Sequence, residues 1–107
     1  MSDYKDLELI AQGALEVTGE PAVLSFRNHT GFKDTATRVS AGQYQLLLKD
    51  AHHSSHLVVQ ATRNSVDPGS ISAVPGTDKT ELITVYTYDV DGVATDANFS
   101  ISVAHVG

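Results

Sequence analysis

Leu82-Ile-Thr-Val-Tyr-Thr-Tyr88, then Asp89-Val-Asp-Gly92, then Asn98-Phe-Ser-Ile-Ser-Val-Ala104 is the stretch whose reading decides the fold. Side chains alternate along a strand, so Phe99, Ile101 and Val103 point one way while Ser100 and Ser102 point the other. A clean period of two marks a half-buried β-strand. The Asp and Gly between the two runs suit a tight turn, because both tolerate positive φ and Asp bonds to its own backbone. The two runs are therefore expected to pair as a closing β-hairpin.

Working outward, the rest of the chain repeats the pattern. Gln43-Tyr-Gln-Leu-Leu-Leu-Lys49 is a strand with Tyr44, Leu46 and Leu48 on the core face. Ala22–Arg27 is a strand with Leu24 and Phe26 inward, and Asn28–Gly31 is expected to be a loop. Leu7, Leu9 and Ala11 alternate, which predicts a strand with these three on one face. Asp34–Ser40 is Thr-rich and suits an edge strand. Asp50–Ser55 is expected to be a polar loop. Leu57–Thr62 begins apolar on both faces, which predicts a strand that is central or covered on both sides. Ile71–Val74 is a short strand between Pro- and Gly-bearing turns. No segment keeps a 3.6-residue period. The pattern predicts an all-β, antiparallel β-sandwich of about eight short strands with no substantial helix.

Composition narrows function by exclusion. The 107 residues suit one domain, here 7–107, preceded by a charged arm over residues 1–6. Hydrophobic residues make up 41%, too many for a disordered chain. There is no Cys, which removes disulfides and thiol chemistry. The net charge of −6 disfavours nucleic acid as a partner. No apolar run approaches the length of about 18 residues that a membrane helix needs. The start, Met1-Ser-Asp-Tyr-Lys-Asp6, does not read as a signal peptide, so the expectation is a protein made in the cytoplasm that leaves, if at all, within an assembled particle.

Taken in order, several features resemble one family. They are Gly42-Gln-Tyr44, Leu57-Val-Val-Gln-Ala-Thr62, Ile71-Ser72, the run Val85–Gly92 of the form Val-Tyr-Thr-Tyr-Asp-x-Asp-Gly, and Asp96-Ala-Asn-Phe-Ser-Ile-Ser-Val103. In spacing and character they resemble the β-sandwich modules at the ends of bacteriophage tail fibres and in related virion proteins. The jelly roll of those modules is similar to C1q-like domains. The resemblance runs from Ala22 to Val106. It implies a jelly-roll-like sandwich that assembles as a homotrimer, is localised in a virion, and partners capsid or tail proteins. Fibre modules follow long shafts, whereas this domain starts almost at Met1, so a capsid or tail decoration protein is the expected role. A fibre-tip adhesin binding a host-surface glycan or receptor is the alternative.

Apolar residues outside the inward set are candidates for a subunit interface or ligand face: Leu47, Val58, Val90, Val93 and Val106, joined by Tyr86 and Tyr88, whose rings could meet a sugar or a protein. The plainer reading is scattered surface apolars or a half-buried sheet face. His52-His-Ser-Ser-His56 places His52, His53 and His56 on one loop, and imidazoles ligate zinc or nickel. A closed site would need a further ligand, so a solvated loop is the plainer reading. Asp89, Asp91 and Asp96 evoke a calcium loop, but Val93 and Ser100 stand where an EF-hand needs oxygen ligands. Turn chemistry accounts for these residues, and no cofactor is expected. Neither a Gly-x-Ser-x-Gly elbow nor a Gly-rich phosphate loop is present, so the chain is expected not to be an enzyme.

Overall fold

A computed structural model describes residues 7–106; the charged arm over residues 1–6 lies outside the described residues. Eight strands follow one another: β1 (Leu7–Thr18), β2 (Val23–Thr30), β3 (Phe32–Ser40), β4 (Gln43–His53), β5 (Leu57–Arg63), β6 (Gly69–Pro75), β7 (Lys79–Asp89) and β8 (Phe99–Val106). The described helix is one 3₁₀ turn, Ser54–His56. The strands form two four-stranded antiparallel sheets, β2-β1-β8-β5 and β3-β4-β7-β6. The expected all-β sandwich is therefore what the chain forms.

The winding adds detail. First and last strands lie side by side, as in a jelly roll, but β1–β2, β3–β4 and β6–β7 are hairpins within one sheet. The likeness to a jelly roll is thus partial.

The closing hairpin is corrected. β7 pairs with β4 and β6, and β8 pairs with β1 and β5, so the two strands lie in opposite sheets. Asp89–Gly92 does turn the chain, and Ala94 bridges back to Tyr88. Residues 94–98 then cross the end of the sandwich. The reason is apolar complementarity: Ile83 and Val85 on β7, and Phe99, Ile101 and Val103 on β8, are all buried, so both strands need the same core between them.

That core joins Tyr44, Leu46 and Leu48 of β4 to Phe32, Leu15, Leu24 and Ala11. Four further expectations change. Asn28–Thr30 continues β2, and Asp50–His53 continues β4; neither is loop. β5 is an edge strand, and its Val58 is 41% exposed.

The fourth change concerns β1. Leu9 pairs with Ala104 and Ala11 pairs with Val103, so Ile10 is an extra residue opposite β8. A one-residue bulge reverses the facing of what precedes it. Ala11 is buried, whereas Leu7 and Leu9 are turned out to 49% and 56% exposure.

Candidate functional site

Directly paired residues of an antiparallel ladder share a face, so the registers map the outer surface of the first sheet in rows. One row is Asn28–Ala14–Ser100–Thr62, and the next is Thr30–Gln12–Ser102–Gln60. Beyond them come Leu9–Ala104–Val58 and Leu7–Val106. The face is divided in two. Its polar half is a shallow groove of about 400 Å³ with Gln12, Asn28, Gln60 and Thr62 around small residues. Its other half is apolar, and Leu7, Leu9 and Val58 are all exposed.

The outer face of the second sheet is different. Tyr86 pairs with Gln43 and Ser72, Thr84 with Gln45 and Val74, Leu82 with Leu47, and Tyr88 with Ser70. Tyr86 and Tyr88 are half-buried there, as is Leu47. The expected ligand-face residues are thus distributed over three places. Leu47, Tyr86 and Tyr88 share the second sheet; Val58 and Val106 share the apolar half of the first; Val90 and Val93 are exposed in the turn after β7. They do not form one surface. Leu7 and Leu9 complete the apolar half, and only the Ile10 bulge reveals them.

Asp89 and Asp96 have separate structural jobs. Asp89 Oδ1 accepts the backbone N–H groups of Asp91 at 2.9 Å and Val93 at 3.0 Å. Asp91 is exposed in the same turn. Asp96 points away from that turn toward the second sheet. Both its oxygens lie 3.0 Å from Arg38 Nε, and Oδ2 lies 2.8 Å from Arg38 Nη2. Asp96 Oδ1 also accepts the Gly42 N–H at 3.0 Å and the Tyr44 hydroxyl at 2.8 Å. The Tyr44 oxygen in turn accepts the Ala97 N–H at 3.1 Å. Buried Thr87 donates to the Thr95 carbonyl at 2.6 Å and lies 3.3 Å from the Tyr44 hydroxyl.

Electrostatics follow from this closed set. Burial pushes the Asp96 carboxyl up, but the Arg38 hydrogen bonds, the Gly42 N–H and the Tyr44 hydroxyl outweigh it and hold Asp96 below the usual carboxylate range. Burial pushes the Tyr44 phenol up, partly offset by hydrogen bonds from Thr87 and Ala97. Hydrogen bonding to Asp96 raises Arg38 further above its already high value. Perturbed groups often mark reactive sites. Here they are paired with one another, and the pairing ties the crossing loop to β3 and β4.

At the far ends of the same strands, histidines gather. Ring centroids are 5.1 Å apart for His52 and His105, 5.6 Å for His56 and His105, and 5.6 Å for His53 and His56. His53 Nδ1 accepts the Ser55 N–H at 3.3 Å and lies 2.8 Å from the Ser55 hydroxyl. The histidines of β4 and of the 3₁₀ turn are therefore joined by His105 from the other sheet. No spacing in the sequence announces it; only the β4–β8 juxtaposition does. Among the described residues, no three His, Cys, Asp or Glu side chains are gathered tightly enough to hold a metal ion as they stand.

No protein-family model, no curated protein and no solved structure matches this chain.

Proposed function

We propose that this chain is a non-enzymatic structural module that acts by self-assembly, a homotrimer decorating a phage capsid or tail. The observation that carries the assembly reading is the apolar half of the first sheet, where Leu7, Leu9, Val58, Ala104 and Val106 lie side by side and outward. Contiguous apolar surface on a small domain is an interaction surface, and a second copy of the chain covers it at least cost. The Asp96 network supports a structural role, since its perturbed groups are consumed in holding the loop. The virion assignment rests on the resemblance of the Ala22–Val106 spacing to phage fibre modules.

The test is light scattering of the purified chain and of the double variant Leu9→Asp/Val58→Asp. A trimer that falls to a folded monomer in the variant supports the reading. A wild-type monomer at high concentration sinks it. Co-purification with particles, lost in the variant, would extend the reading to docking.

One observation favours the adhesin alternative. The groove of Gln12, Asn28, Gln60 and Thr62 presents amides and hydroxyls without a charge, chemistry that suits a neutral saccharide. A glycan array read with the wild type and with Gln12→Ala/Gln60→Ala separates the two readings.

A further inference from the structure

Four of the chain's five histidines meet at one end of the sandwich, contributed by β4, the 3₁₀ turn and β8. His52 belongs to the second sheet and His105 to the first, so their contact bridges the two layers. A second, independent feature lies beside them. A cleft of about 340 Å³ opens between β1 and β4, and Glu8 and His52 both line it. Glu8 is also the direct cross-strand neighbour of His105. Asp50 and Lys49 sit on the same cleft, so it carries no net excess of positive charge from its own lining.

We propose that His52, His56 and His105, with Glu8 as the oxygen ligand, bind a transition-metal dication of the zinc class. Imidazoles bound to one tetrahedral zinc through nitrogens about 2.0–2.1 Å from the ion have ring centres about 5 Å apart. The His52–His105 and His56–His105 separations of 5.1 and 5.6 Å match that spacing. The side chains as they stand do not form a metal site, so binding requires the rings and the Glu8 side chain to reorient. His105 is the central ligand, since it alone touches both His52 and His56. His53 is the outlier, held by Ser55. Imidazole with carboxylate selects zinc-like ions over magnesium, which wants oxygen alone. A bound ion would staple the two sheets where the histidines now touch, and this holds whether or not the module forms a trimer.

The test is calorimetric titration of the full chain with zinc chloride, with magnesium chloride as control, alongside thermal melts. The expected result is saturable zinc binding, a melting temperature raised by zinc and not by magnesium, and affinity weakened at least about tenfold by His105→Gln or by His52→Gln. His29→Gln, on β2 away from the cluster, should bind as the wild type does. Absence of saturable binding, or undiminished binding by His105→Gln, overturns the proposal. Imidazole nitrogen spectra of the unmodified protein give a reading that needs no variant. His52, His56 and His105 should shift together on zinc addition; shifts confined to His29 or His53 overturn the site.

Discussion

β4 and β8 run past each other with an aromatic or imidazole pair at each end. At one end, Tyr44 and Phe99 stand 5.2 Å apart; at the other, His52 and His105 stand 5.1 Å apart. The spacing is nearly the same, yet the surroundings are opposite. At the tyrosine end, every charge has its complement: Arg38 meets Asp96, and Asp96 meets the Gly42 N–H and the Tyr44 hydroxyl. At the histidine end, rings of one kind meet each other, and Glu8 is the cross-strand acid. A group surrounded by complementary partners stabilises a fold in one arrangement. A group of like ligands beside a cleft has spare coordination, which suits capture of something else. One pair of strands thus carries a fixed end and a receptive end.

The largest break in that comparison should come from Asp96→Ala. It strands the Arg38 guanidinium, the Gly42 N–H and the Tyr44 hydroxyl, and should cost about 2–4 kcal/mol in urea denaturation. The same residue predicts a pH dependence. Its carboxyl is depressed in the folded chain, so its contribution is fully present above the unfolded value of about 4 and is lost as pH falls through the lower folded value. Wild type should therefore lose stability below pH about 4 with a steepness that Asp96→Ala lacks. Equal acid profiles for the two proteins would show that Asp96 is not held as described.

Tyr44→Phe is the sharper, smaller probe. The ring stays against Phe99, while Ala97 N–H loses its acceptor and Asp96 loses one donor. A loss of about 1–2 kcal/mol is expected, with an unchanged dependence of unfolding on denaturant. At the other end, His105→Gln without metal should change stability by less than about 0.5 kcal/mol. A large loss there would mean that the histidine end is as structurally committed as the tyrosine end.

Much of the fold was legible because period two is a local property. Tyr44, Leu46 and Leu48, like Phe99, Ile101 and Val103, are buried on the faces their spacing predicts. What could not be read was pairing. Asp89–Gly92 has the chemistry of a hairpin turn and does turn the chain, but which strand β8 then joins depends on the core shared across the sandwich. The same limit governs the candidate sites. Asp96 sits seven residues after Asp89 in sequence but bonds to Arg38 and Tyr44, which no local pattern links to it. His52, His53 and His56 were visible as neighbours, whereas His105 arrives from another sheet. Leu57–Thr62 looked covered on both faces because an exposed patch and a buried strand have the same composition.

The bulge at Ile10 has a consequence at the level of the gene. Leu9 and Ala11 stand two residues apart yet face opposite ways, because the codon for Ile10 adds one residue where the facing strand has none. Loss of that one codon would leave Leu9 opposite Ala104 and Leu7 opposite Val106, still outward, because Leu9 and Ala11 would then be immediate neighbours on opposite faces. What the codon adds is the packing of Ile10 against the core, so its loss should weaken the core and spare the outward apolar rows.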